Sequence, residues 1–592
     1  MLKKSLLILC SLLCFVFMVS CGENSTRITK NGNETEDPTD TSSDESSSEN
    51  PDNEGTVTEP TDENPDGGNT PTDPNEDPNE NPENPDENNE EPVKETTTTV
   101  EPSSDFETKT EALIVTTANF EEVFQKFAVF HTVTGINTKV VTVEDICDNA
   151  VCNDSDPLND TQKAIKDYVM SVEGLRYLVL GGDIEDIPSR QVHDHFELPL
   201  GIADYTDDFY SDLYYADFSN WDSNGNGIYA EDEDNPVLIA NVAIGRISVS
   251  AVEEAELYFS KLVKHHTAFN TAHTTKSLLL ANIATELSGI KVNSGYYFET
   301  EGKTISQIPM NYSIKKLYTK STPFPGGNTA QYLDNDSEKA AIEEGMNMIV
   351  HSGHGAPWLL TCEQGDDPDR DFDRNMAYNL KNATLPFFLS CACEAGQFGY
   401  KNGDSAGEKL MNAPEGGAIV YLGNTTTGLG IAGGSQFIDE MMKNMFAFPY
   451  SFIGESYIFA HVAMPQSDTF NPPIDIVNIN VPVVNKDSWT WTKKSNVMLG
   501  DPMTVFWRDP VEPFAAEIEP EVEENEGVKT VSLQFPPEFE GAMLRVLADG
   551  KLYDIPYLMY ETVKINLDSA VKTITVGIKA ENSQYFFKKF EI

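Results

Sequence analysis

The chain predicts an α/β fold: a parallel-sheet domain of two α/β subdomains, followed by a small β-sandwich. Three patterns predict it. Short unbroken apolar runs alternate with amphipathic helical stretches from residue 106 onward, as in a sheet covered by helices on both faces. After residue 510 the period switches to two, with closely spaced short strands. Ahead of both lies a Pro-, Asn- and acid-rich segment with almost no large apolar residue, which cannot bury a core.

The first element is a targeting segment. Lys3 and Lys4 precede an apolar run from Leu6 to Val19, too short to span a bilayer comfortably. It ends in Met18-Val19-Ser20-Cys21-Gly22, which resembles a bacterial lipoprotein cleavage box with Met where Leu is usual. Residues 1–21 are therefore expected to be a lipoprotein signal peptide, with Cys21 acylated. The chain is then exported and held on the bacterial cell envelope, at the outer membrane or cell surface. Its membrane contact is the N-terminal lipid; ordinary cleavage and full secretion is the competing reading. Residues 22–105 read as a disordered acidic stalk, a coil reaching about 50 Å. The formal net charge of -57, from 97 acidic and 40 basic residues, argues against a nucleic-acid partner.

Residues 106–270 are expected to form the first α/β subdomain and 271–510 the second. Strands are expected at Ala112-Leu113-Ile114-Val115, Thr138 to Val141, Leu175 to Leu180 and Val242 to Ile244. Others follow at Ser277 to Ala281, Met346 to Val350, Leu385 to Leu389 and Ala418 to Leu422. Amphipathic helices are expected over Phe120 to His131 and Val252 to Phe269. Residues 511–592 form the sandwich, with alternating segments such as Val531 to Phe535 and Val563 to Leu567.

Of eight cysteines, Cys10 and Cys14 leave with the signal and Cys21 carries lipid. Cys147 and Cys152 bracket a short polar loop and are the natural disulfide pair. That leaves Cys362, Cys391 and Cys393 in an oxidising compartment, where a retained thiol calls for a reason.

Two predicted strands end in reactive groups. One runs into His351-Ser352-Gly353-His354-Gly355, the other into Ser390-Cys391-Ala392-Cys393-Glu394. Ligands of open α/β sheets sit beyond the carboxyl ends of the strands, so adjacent strands would face a His and a Cys into one cleft. A thiol becomes a strong nucleophile once deprotonated, and an imidazole can take its proton and return it to a leaving amine. The N–H groups of Gly355 and Cys393 can form an oxyanion hole. Zinc held by His351, His354, Cys391 and Cys393 is a competing reading, although the Cys spacing is unusual for it.

His354-Gly355 after one apolar strand and Ala392-Cys393 after another resemble the signature of caspase-like peptidases. The wider chain, over about residues 110 to 592, is similar to the gingipain family of cysteine peptidases. Gly182-Asp183, Ile187-Pro188, Ser211-Asp212-Leu213-Tyr214-Tyr215 and Gly245-Arg246 recur in order, as do Ala392 to Phe398 and Leu499-Gly500-Asp501-Pro502. The resemblance implies a caspase-like sheet followed by an immunoglobulin-like sandwich. It also implies a cysteine endopeptidase acting on protein or peptide substrates through a thioester acyl-enzyme. Cys393 is then the nucleophile and His354 its acid/base partner, while Cys391 and His351 are structural. Glu286 is the one acid in the segment where the family places a residue that orients the His. An acidic pocket for a basic substrate residue is also implied, with Glu299, Glu301, Glu363 and Asp439 as candidates. A sortase-like transpeptidase is the alternative within the same chemistry; a non-catalytic surface adhesin is the alternative from another class.

One further motif stands apart. Asp222-Ser223-Asn224-Gly225-Asn226-Gly227-Ile228 leads to Glu233 in the twelve-residue calcium-loop pattern. Asp222, Asn224, Asn226, the Ile228 carbonyl and Glu233, or Asp232 in its place, would hold a structural Ca2+.

Overall fold

The structure, a computed structural model, describes residues 96–592 except 199–203, 269, 288–289, 301–302, 320–329, 363–370, 449–450, 465–473, 477–478, 482–483, 515 and 560. The signal segment with Cys21, residues 22–95 of the stalk, Glu301 and Glu363 lie outside the described residues. Among the described residues no helix is long and apolar enough to cross a membrane.

Eleven strands form one sheet. In chain order they are β1 (Ala112–Thr116), β2 (Thr138–Thr142), β3 (Tyr177–Gly181), β4 (Ala243–Ile247), β5 (Lys276–Ala281), β6 (Ser313–Tyr318), β7 (Gln331–Tyr332), β8 (Met348–Ser352), β9 (Phe387–Ser390), β10 (Val420–Asn424) and β11 (Asn496–Gly500). They lie in the order β7-β6-β5-β8-β9-β10-β11-β4-β3-β1-β2. Every neighbouring pair is parallel except β10 and β11. In β1, β3, β4, β8, β9, β10 and β11 every residue is buried. Burial on both faces explains why these strands read as unbroken apolar runs. Helices Glu121–Val133 and Val252–Thr267 pack on each other through Phe127, which meets Tyr258 and Phe259.

The two expected α/β units share this sheet because β11, from the end of the second unit, lies between them. It runs antiparallel to β10 and parallel to β4. The approach is close: a Cβ at Gly245 on β4 would lie 2.3 Å from the Gly500 carbonyl, so only glycine fits there. Just beyond, the buried Asp501 carboxylate meets His131 Nε2 at 2.7 Å and accepts the Met503 N–H at 2.8 Å. The Leu-Gly-Asp-Pro motif thus ties the last strand to the first helix.

Besides several small two- and three-stranded sheets, the strands after residue 520, joined by one from residues 96–100, build two four-stranded sheets around a separate apolar core that includes Leu533, Leu544, Val563 and Val576. Burial alternates strictly along Met543–Ala548, as the two-residue period requires. One strand departs from the sequence reading. Thr96–Val100, inside the stretch read as stalk, pairs in parallel with Glu561–Asp568 and widens one sheet of the sandwich. Its run of β-branched residues favours a strand, while its lack of apolar side chains made it look like linker.

Candidate active site

β8 and β9 are neighbours in parallel register, with His351 opposite Ser390. The segments leaving their carboxyl ends therefore emerge side by side, carrying His354 and Cys393. Both are buried, at 8% and 4% exposure. The two loops touch through Gly355, where a Cβ would come within 2.9 Å of both Ala392 Cβ and the Cys393 carbonyl. Any side chain at 355 would push the His and Cys loops apart.

The nucleophile loop is held from several sides. Cys391 N–H donates to the His351 carbonyl at 3.2 Å, and Asn424 Nδ2 to the Ala392 carbonyl at 2.9 Å. Glu394 N–H donates to the Thr426 carbonyl at 2.8 Å and Gly396 N–H to Asn424 at 3.1 Å. Glu394 has φ of 54°, a left-handed conformation uncommon outside glycine. This strained turn follows the nucleophile directly, the kind of position where backbone strain serves function. Cys393 Sγ lies 3.7 Å from the Gly428 carbonyl.

Burial pushes the His354 imidazole below its usual pKa. The Cys393 charge, a hydrogen bond with the Ile283 backbone and the Asp371 carboxylate act in the opposite direction. Two groups that the sequence reading missed thus bear on His354: a backbone group, which carries no side-chain signal, and Asp371, which lies far along the chain from the segment examined for an acid. Glu286 stands on the strand Ile283–Leu287 beside this site; its side chain lies outside the described residues. Thr361 donates from its N–H at 3.1 Å and its hydroxyl at 3.0 Å to the His354 carbonyl, fixing the loop.

His351 and Cys391 face elsewhere. His351 Nδ1 lies 2.9 Å from Ser390 Oγ, and burial pushes its pKa down to about 4. Cys391 Sγ lies 3.6 Å from the His351 carbonyl and 3.8 Å from Ser435 Oγ, with Gly434 packed over it. Burial raises that thiol's pKa. Among the described residues these side chains form no metal-binding group.

Acids gather on the other side of the nucleophile. Hairpin Arg190–Glu197/Asp204–Ser211 brings Asp207 to the Thr426 hydroxyl, which donates to it. Burial, and then the Asp207 charge, push Glu394 up to about 7. Of the pocket acids proposed from sequence, Asp439 is buried and accepts from Tyr297 Oη and Thr304 Oγ1, both at 2.8 Å; burial raises it to about 6. Glu299 pairs with Lys316 at 2.7 Å.

Glu394 has a consequence for stability, shared with the buried Glu338 and Glu408, which burial raises to about 8. Their folded pKa values exceed the unfolded value near 4.5, so the folded state binds more protons between those limits. The stability they contribute is full below the unfolded value and is lost as pH rises through 7 to 8. Thermal melts should show a falling Tm from pH 6.5 to 8.5, and Glu408→Gln should flatten that slope. An unchanged slope in the variant would refute the assignment.

The disulfide joins Cys147 and Cys152, and Cys362, Cys391 and Cys393 are buried thiols outside any disulfide. In the calcium-type loop, Asp222 Oδ1 accepts from Gly225 and Asn226 N–H and Oδ2 from Gly227 N–H. Glu233 is exposed, whereas Asp234, one residue on, is buried.

A sheet that sets a histidine and a cysteine side by side at the carboxyl ends of adjacent parallel strands has the architecture of a cysteine peptidase. The model of peptidase family C25 matches residues 106–507, and the chain belongs to that family. The fold is similar to that of the complex of Porphyromonas gingivalis RgpB pro- and mature domains. Identity is 17%, with 81% of this chain and 99% of that one covered and a TM-score of 0.50. It is also similar to the Arg-specific cysteine proteinase gingipain R, at 18% identity, with 83% and 99% covered and a TM-score of 0.51. At these identities the likeness is one of fold. No curated protein matches the chain.

Proposed function

We propose that this cysteine peptidase is an endopeptidase that works through a Cys393–His354 dyad and a thioester acyl-enzyme. The observation that carries the reading is the contact of the two loops at Gly355, which joins the His-bearing turn to the Cys393 backbone. Burial keeps the imidazole neutral and able to accept the thiol proton. The Cys393 sulfur attacks the scissile carbonyl carbon, and the N–H groups of Gly355 and Cys393 stabilise the oxyanion. His354 then protonates the leaving amine, and water attacks the thioester. An amine in place of water would give transpeptidation. We further propose that Cys21 carries the lipid that tethers the exported chain to the cell envelope.

A fluorogenic peptide library varied at the residue before the scissile bond, read by mass spectrometry of the products, tests both outcomes. Hydrolysed products are expected from the untreated enzyme, and their loss is expected once iodoacetamide has alkylated Cys393. Cleavage that persists after complete alkylation of Cys393 would overturn the dyad.

A further inference from the structure

We propose that the first subdomain carries a binding cleft for an aromatic carboxylate, with Lys166 as the group that meets the anion. The cleft, of about 400 Å³, lies between helix Thr161–Ser171 and the turn that follows Leu213–Ala216. On the helix, Lys163, Lys166 and Met170 succeed one another at spacings of three and four, so they share one face. Lys166 is 6% exposed. Its Nζ lies 4.3 Å from the centroid of the Tyr214 ring and 5.7 Å from that of Trp221.

What marks the cleft is the incomplete balance of that amine. An ammonium has three N–H donors. One reaches the Ser219 carbonyl at 2.8 Å, and among the described residues no carboxylate forms an ion pair with Nζ. The acids around it are engaged elsewhere. Asp167 pairs with Lys163 at 2.6 Å and Asp160 with Arg190 at 2.7 Å. Asp217 accepts from the Ser219 N–H and hydroxyl and from Trp221 Nε1, each at 2.9 Å, and from the Leu238 N–H at 2.8 Å. Burial lowers the Lys166 pKa to about 7, with the Asp217 charge acting against it. The protein thus encloses the amine without neutralising it, yet leaves it on the wall of an open cleft, the setting of a ligand-binding group.

The walls define the rest of the ligand. Lys163 and Arg190 already have partners, so one positive charge is left to answer, which suits a single carboxylate through a charge-assisted hydrogen bond. Asp167 and Asp222 also line the cleft and disfavour a doubly charged group such as phosphate. Leu158 and Met170, both exposed, join the rings of Tyr214 and Trp221 along it. Aliphatic, thioether and aromatic surfaces together favour a flat apolar body.

Ligand-observed NMR on the intact chain tests the site with two acids, 2-naphthoate and N-acetylphenylalanine, and with the amide of the latter as the uncharged control. Saturable binding of an acid is expected, with a dissociation constant of about 1 mM or tighter, and binding of the amide about tenfold weaker or more. Lys166→Met replaces a buried charge by an apolar chain of similar length, which keeps the fold; it should weaken the acids about tenfold or more. Met170→Glu, at an exposed position, sets a carboxylate four residues on from Lys166, answers the amine internally and should weaken them likewise. Whichever acid binds tighter names the source, a free aromatic acid or the carboxyl end of a peptide. No saturation by either acid at about 10 mM, ten times the expected constant, would overturn the site; so would undiminished affinity in folded Lys166→Met.

Discussion

Replacing Cys393 by alanine is expected to lower kcat/KM for peptide cleavage by about 10⁴-fold or more, with thermal stability changed little. The sulfur lies 3.7 Å from the Gly428 carbonyl, and the substitution removes a single heavy atom, so little packing is lost. Cys391→Ala is the control. That thiol is buried, 3.6 Å from the His351 carbonyl and 3.8 Å from Ser435 Oγ, and its removal should cost stability while leaving most of the activity. His354→Ala should lose about 10²–10⁴-fold, the usual range for general acid–base catalysis. Steady-state kinetics on the three variants decide the matter: equal losses for Cys391→Ala and Cys393→Ala would mean that the nucleophile is misassigned.

The second large effect concerns a cation far from water. Arg246 is fully buried on β4 and forks onto Asp212, with Nε 2.7 Å from Oδ2 and Nη2 2.8 Å from Oδ1. Its Nη1 donates to the carbonyls of Gly182 at 3.1 Å and Ile187 at 2.9 Å. The guanidinium also lies over the Phe398 ring, 4.4 Å from its centroid. Arg246→Ala leaves Asp212 charged and buried without its partner, a change that costs about 3–5 kcal/mol. Denaturant melts should show that loss. Arg246→Met with Asp212→Asn should recover part of it, because the uncompensated charge is then gone. Phe398 belongs to the nucleophile loop, so Arg246→Ala should also depress kcat through a displaced Cys393.

That cluster shows what a sequence can reveal and what it withholds. Gly182, Ile187, Asp212, Arg246 and Phe398 were read as separate fragments in a recurring order; in the folded chain they meet at one guanidinium. Their order was legible, but the contact that joins them was not, because it spans sheet, hairpin and loop. The strands carrying His354 and Cys393 were legible for a simpler reason: burial on both faces makes each an apolar run, and the reactive group follows at its end. The position of β11 between the two halves was not, since apolar periodicity marks a strand without naming its neighbours. The Ile283 backbone contact with His354 left no trace in residue type.

The parallel pairing of Thr96–Val100 with Glu561–Asp568 has a practical side. A chain shortened to begin at residue 106, where the family match starts, would keep the whole peptidase sheet yet strip the sandwich of a border strand. The uncovered row of N–H and C=O groups along 561–568 would then be an open template for a second molecule. Such a truncated protein should self-associate, whereas one starting at residue 96 should stay dispersed. Force applied to the chain ahead of residue 96 likewise reaches the last domain before it reaches the first.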